Sequence, residues 1–342
     1  MTGRPYTLVD VHAHHCGPGL PALDGAPRLV VDDGEGRIVD GEGRLRAVPT
    51  ALWDVPTRLT EMDRVGLSHQ VISPVPEVME RAWTIDPGYA RAVNDQIAQA
   101  CRESGGRLIG LGCLPRVDPR AELQRCLTLG LRGVETGTRM AGRDLDGEET
   151  AEIWAACADA GAGVLVHPVQ RGRGVLGRAG GPLEIGLGMP TDTAAAAFAL
   201  VAGGVLDRHP ELRVALTHGG GTFSWVAPRL RAASGGDERW DRAVRRLFVD
   251  TLVQDPALLP VLAARFGPDR LLLGTDSPFM PDHVTRAVHS VDVLPDRSRR
   301  AAQVDNALAF LGLHPVGIPT GNGGLGSPGG PAAAPVLHGD RP

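Results

Sequence analysis

The stretch Thr7-Leu-Val-Asp-Val-His-Ala-His14 decides how this chain is read: an apolar, strand-forming run leads straight into two histidines two positions apart. At an extended strand end, residues i and i+2 lie on the same side, so both imidazoles can reach one ion. The same pattern recurs. Gly163-Val-Leu-Val166 precedes His167-Pro168, Arg213-Val-Ala-Leu-Thr217 precedes His218-Gly-Gly-Gly221, and Leu271-Leu-Leu-Gly-Thr275 precedes Asp276. As parallel strands of one barrel, these runs would bring all five side chains to a single mouth.

Working outward, the pattern predicts helices over 57–65, 87–104, 119–129, 148–160, 192–208, 222–233, 256–266 and 297–311. Between them it predicts strands over 70–73, 108–112, 133–135, 163–167, 213–217, 247–250 and 271–274. With the first strand this makes eight βα units, hence an α/β chain folded as a (β/α)8 TIM barrel over residues 1–314. Residues 15–56 hold three short strand patterns separated by Asp-Asp-Gly-Glu-Gly and Asp-Gly-Glu-Gly. They predict a small β-hairpin insertion after strand 1, a flap over the mouth. Residues 315–342 are rich in Gly and Pro and poor in large apolar side chains, which predicts a disordered tail.

The 342 residues carry a formal charge of −5 and no basic tract, so neither nucleic acid nor an anionic membrane surface is an implied partner. The first strand follows without an apolar leader, and no apolar run is read as approaching the ~20 residues of a membrane span, so a cytoplasmic location is expected. All 35 basic residues are Arg. Without lysine there is no Schiff-base catalysis and no carbamylated-lysine metal bridge. Glu135, at the end of the fourth strand, is then the carboxylate available to bridge a second ion, although one ion is the favoured reading. Five cysteines lack any C-x-x-C pair, which argues against a disulfide framework or a thiolate zinc site. Cys16, beside His15 at the expected mouth, is the candidate pocket thiol.

Three imidazoles, one carboxylate and an open position suit a single divalent ion, Zn²⁺ foremost, with Fe²⁺, Mn²⁺ or Co²⁺ able to fill the same shell. Such an ion lowers the pKa of water toward neutrality, and histidine titrates in the same range, so hydroxide and a proton carrier can coexist. Arginine forks suit substrate carboxylates.

The ordered set Asp10-Val-His-Ala-His14, Ala51-Leu-Trp-Asp54 with Arg58-Leu-Thr-Glu-Met-Asp63, Val166-His-Pro168, Met189-Pro-Thr-Asp-Thr193, Thr217-His-Gly-Gly-Gly221 and Leu273-Gly-Thr-Asp-Ser-Pro-Phe279 carries a likeness. Over about residues 7 to 312 the chain resembles the amidohydrolase superfamily and, within it, the 2-amino-3-carboxymuconate-6-semialdehyde decarboxylase family. The resemblance implies that His12, His14, His167 and Asp276 ligate the metal and that His218 is the acid/base acting on its water. Asp276 would share in catalysis, as the equivalent carboxylate does in related hydrolases. Arg46, shortly before Ala51-Leu-Trp-Asp54, would bind a substrate carboxylate. Arg229, eleven residues after His218, would reach the neighbouring subunit's site, which implies a homodimer. The activity implied is non-oxidative decarboxylation of a small unsaturated or aromatic carboxylic acid. Hydrolysis of an amide or lactone and a non-catalytic, metal-bound ligand-binding barrel are the alternatives. Val169 stands where relatives of known activity commonly place an aromatic, and Arg171, Arg173 and Arg178 punctuate the loop that follows, so a differently shaped pocket is expected.

Overall fold

Strand β1 (Val9–His15) is wholly buried and forms the seam of the barrel. The chain then leaves the barrel for β2 (Arg28–Asp32), β3 (Glu35–Val39) and β4 (Leu45–Val48), an antiparallel sheet in that order. The expected flap is therefore three-stranded. Its first turn holds only Asp33 and Gly34, both at positive φ, the geometry that a two-residue hairpin requires and Asp-Gly supplies. The computed structural model describes residues 4–39, 43, 45–172, 175–176 and 180–313. The expected tail, Arg173 and Arg178 lie outside the described residues.

The barrel continues through β5 (His69–Pro74), β6 (Leu108–Gly110), β7 (Gly133–Gly137), β8 (Gly163–His167), β9 (Arg213–Leu216), β10 (Phe248–Asp250) and β11 (Leu271–Leu272). Every neighbouring pair is parallel: β1-β5-β6 form one sheet and β7 to β11 another. Two short bridges join them, Gly112 with Val134 and Ala13 with Ser277. The bonds Glu135 N to Gly112 O (2.7 Å) and Val11 N to Leu273 O (2.8 Å) close the eight-stranded ring. Inside, Val9, Val11, Val71, Leu165, Phe248 and Leu272 form one buried cluster with Phe310 from the closing helix. Phe310 plugs the lower end. A Cβ on Gly163 would lie 3.0 Å from its ring, so glycine there makes room for the plug.

Side-chain alternation along β1 is broken. Asp10 pairs with Gln70 but Ala13 with Ile72, three residues against two, which is a β-bulge. Val9 and Val11 therefore fill the interior while His12 and His14 both face the mouth above it, and Asp10 turns out of the interior. Its Oδ1 accepts from His12 N (3.0 Å) and Thr275 N (3.1 Å); its Oδ2 accepts from Gln70 Nε2 (2.7 Å) and Thr275 Oγ1 (2.6 Å). Arg58, fully buried on α1 (Val55–Arg64), donates to Gln70 Oε1 at 2.6 Å and to His14 O. Burial lowers the Arg58 guanidinium to about 10, which leaves it charged at neutral pH and opposite Asp10. Asp54 caps α1 by accepting from Thr57 N at 2.8 Å, with Pro56 in the first turn, so the helix starts two residues before the expected 57.

Other elements depart further from expectation. Helix α2 (Pro76–Thr84) follows β5 directly; its Pro-Val-Pro entry reads as loop, yet Pro76 occupies the first helical turn, where its missing N–H costs nothing. Helices Glu238–Val244 and Pro281–Ser290 are likewise additional. The expected helix 192–208 breaks at Gly203 and Gly204, the latter at positive φ, into Met189–Ala202 and Val205–Arg208. Within the helical stretch Gly181–Ala202, 22 residues long, an 18-residue window reaches mean hydropathy 1.4, long and apolar enough by length and composition to span a membrane, a run the sequence reading did not pick out. Half of it is buried within the chain, with Ala197 and Leu200 fully enclosed in the core.

Asp10→Ala should lower folding stability by about 3–5 kcal/mol, because it strands Thr275 N, His12 N and Gln70 and leaves the buried Arg58 charge uncompensated. Urea unfolding checks this, with exposed Glu152→Ala expected to stay within about 0.5 kcal/mol of the parent.

Candidate metal centre

The mouth collects three imidazoles whose orientation is fixed from behind. His12 Nδ1 donates to Asp250 Oδ2 at 2.7 Å, His14 Nδ1 to Pro74 O at 2.9 Å and His167 Nδ1 to Pro168 O at 2.9 Å. Carboxylates and carbonyls only accept, so each Nδ1 carries the proton and each Nε2 keeps its lone pair. Those three Nε2 atoms and Asp276 Oδ1 are buried without any hydrogen-bond partner. Ligand atoms from the four residues all lie within 4.8 Å of one another. Asp276 Oδ1 stands 3.1 Å from His14 Nε2 and 3.6 Å from His12 Nε2.

Four buried acceptors facing one another with no donor would be costly unless a cation lies among them. Nitrogen and carboxylate donors in this number fit one divalent metal ion. The local electrostatics agree. Burial opposes ionisation of Asp276, but the surrounding imidazoles outweigh it and hold the carboxyl well below its ordinary range. Burial and the other three imidazoles push His167 well below its usual value, keeping it neutral.

His218 lies beside this set. Its Nε2 is 4.0 Å from Asp276 Oδ2, and its ring centroid is 5.2 Å from those of His12 and His167. Thr217 Oγ1 donates to Val166 O and accepts from His218 Nδ1 at 3.2 Å, which turns Nε2 toward the mouth. Unlike the three buried imidazoles it keeps some solvent access. From His218 to Gly221 four consecutive residues have positive φ. A Cβ at Gly221 would meet Pro190 O at 2.1 Å and one at Gly219 would meet Val253 at 2.3 Å, so the Gly-Gly-Gly run allows close backbone approach.

Asp250 ties the two halves together. Besides holding His12, it accepts from His218 N (2.9 Å), Gly219 N (2.8 Å) and Leu252 N (3.0 Å). Sequence reading missed it, although Phe248-Val-Asp250 repeats the motif of a polar residue closing an apolar strand.

The remaining candidates are placed differently. Glu135 is buried one layer below the mouth, with Oε1 3.9 Å from His14 Nδ1, the side of that ring facing away from the other ligands. The bridging role considered for it therefore does not hold. The Ser73 hydroxyl favours the ionised carboxylate, but burial outweighs it and raises the carboxyl to about 8. Arg46 lies on the flap with its guanidinium 4.5 Å from the Phe279 ring centroid, and Phe279 lies 5.4 Å from the His14 ring, so it reaches the rim. Arg229 is exposed on helix Phe223–Ala233, one turn beyond Trp225, which is 75% exposed. Val169 is packed into the cluster that seats the flap, with Leu29, Ile38 and Met79. Cys16 is buried and its thiol is pushed up to about 12, so it is no reactive pocket thiol; burial and nearby Arg58 take His15 down to about 3.

The family described as amidohydrolase matches residues 9–313. The 2-amino-3-carboxymuconate-6-semialdehyde decarboxylase of Dictyostelium discoideum is 32% identical over 293 residues, covering 79% of this chain and 80% of that one. Among solved structures, IDCase of Metarhizium anisopliae in its apo form superposes with a TM-score of 0.75 at 24% identity, over 89% of this chain and 97% of that one. A dihydroxybenzoic acid decarboxylase of Polaromonas sp. JS666, holding manganese and 2-nitroresorcinol, superposes with a TM-score of 0.68 at 18% identity, over 91% and 97%. Fold, convergent ligand set and sequence match thus agree, and the chain belongs to the amidohydrolase family.

Proposed function

We propose that this chain is a metal-dependent, non-oxidative decarboxylase of a small unsaturated or aromatic carboxylic acid, working as a cytoplasmic homodimer with zinc as its ion. The observation that carries the reading is the set of four orphaned acceptors with His218 alongside, reached through the second oxygen of Asp276. Three imidazole nitrogens and one carboxylate oxygen are donors that would suit zinc. The five unpaired cysteines support a reducing compartment. Exposed Trp225 beside Arg229 supports a second copy covering that helix.

A divalent cation held by His12, His14, His167 and Asp276 supplies Lewis acidity. The chain's own groups do the rest. Arg46, stacked over Phe279, orients the oxygen-bearing end of the acid across the rim. His218 delivers a proton from Nε2 to the carbon bearing the carboxylate; the carbon–carbon bond then breaks, its electrons return to the conjugated system, and carbon dioxide leaves. Neutral His218 recovers its proton from solvent through its accessible edge. Asp276 Oδ2 stabilises the protonated imidazole, and Thr217 keeps the ring turned toward substrate.

His218→Ala should retain one ion per chain yet lose roughly 10²–10⁴-fold in carbon dioxide release from hydroxybenzoates or carboxylated muconates. Turnover of lactones or amides without gas would replace the reading with hydrolysis. Asp250→Ala should weaken metal affinity by about 10–100-fold in chelator competition, since His12 loses the group that orients it. Arg229→Ala and His218→Ala chains should each be inactive alone, and mixing them should restore about a quarter of parental activity if each site borrows an arginine from its twin.

A further inference from the structure

The first turn of α2 places Glu77 against Arg46. Glu77 Oε1 and Oε2 lie 3.0 Å and 3.1 Å from the same nitrogen, Arg46 NH2, while Arg46 Nε is buried with no partner. That choice of nitrogen matters. A guanidinium offers a carboxylate two paired-donor edges, Nε with NH2 and NH1 with NH2, and NH2 belongs to both. With NH2 crowded by both Glu77 oxygens and Nε closed off by burial, neither edge can give a second carboxylate two parallel bonds, and NH1 is left to donate singly. Both side chains are about one-third exposed, so the pair contributes little to stability and matters mainly for what Arg46 can still bind. A second negative charge at this point would also face the Glu77 carboxylate directly, a repulsive element of the kind that builds specificity. Phe279 lies between Arg46 and His14, so Arg46 meets the substrate at an end remote from the convergent imidazoles.

Resting on the decarboxylase reading, we propose that Glu77 is a specificity-determining residue that restricts this site to acids with one carboxylate and a single-oxygen acceptor, such as a phenolic oxygen, at the Arg46 end. Dicarboxylates are disfavoured. A phenolic oxygen needs only one N–H, which Arg46 NH1 can give, and a phenolic O–H can donate to the Glu77 carboxylate.

The test measures binding of 3-hydroxybenzoate and isophthalate by calorimetry to metal-loaded protein in a His218→Ala background, which prevents turnover, with Glu77 intact or changed to Ala or Asp. With Glu77 intact, isophthalate should bind no tighter than 3-hydroxybenzoate. Glu77→Ala should shift the isophthalate-to-3-hydroxybenzoate affinity ratio about tenfold toward isophthalate, and Glu77→Asp, which keeps the charge, should retain the original order. A tenfold preference for isophthalate with Glu77 intact, or a ratio unmoved by Glu77→Ala, overturns the proposal. Carbon dioxide release is assayed separately on the protein with His218 and Glu77 both intact. Probe selectivity without gas release sinks the decarboxylase reading alone, whereas gas release with an unmoved ratio sinks only the role of Glu77.

Discussion

Asp10 has no solvent exposure and commits both oxygens to the seam between the first and last barrel strands. Through His12 N it fixes the bulge in β1, and through Thr275 it holds the segment that leads to Asp276. One buried carboxylate therefore sets the relative position of three of the four convergent side chains. Arg58 and Gln70 extend this network to α1 and β5, so the barrel wall and the mouth share one set of hydrogen bonds. Loosening the seam would misplace the ligands before it opened the fold.

Above the seam, the groups behind each imidazole settle its chemistry. Asp250, Pro74 O and Pro168 O each occupy an Nδ1, leaving Nε2 as the only lone pair each ring can offer. Together with Asp276 Oδ1 these make four acceptors around one point, which repel one another without a cation. Binding the ion therefore also contributes to folding stability, since the unfolded chain has no comparable site. Glu135 beneath His14 is buried and its carboxyl is raised to about 8, so at neutral pH it adds no full negative charge to this set.

Much of this was legible in the chain. His12, His14, His167, His218 and Asp276 each close an apolar run, and parallel strands of one barrel have to bring such ends together. The flap was legible from its Asp-Gly turns. The bulge was not, because no residue type announces it and strict alternation would have turned His12 away from the interior that Val11 fills. Asp250 carried the same strand-end signature but reads as a strand terminus until its contact with His12 is seen. Helix α2 hides behind a proline-rich entry, and the hold of Glu77 on Arg46 joins segments that only tertiary packing brings near. Helix 181–202 reaches spanning length by composition, yet half of its apolar window is buried within the chain.

The closing of the barrel by its latest segments has a temporal consequence. β11, the Ser277 bridge and the Phe310 plug all come from the final quarter of the described chain, whereas His12 and His14 come from the first strand. During vectorial synthesis the histidines of β1 emerge before Asp276, so the fourth convergent side chain joins them only once the last strand of the ring has been made.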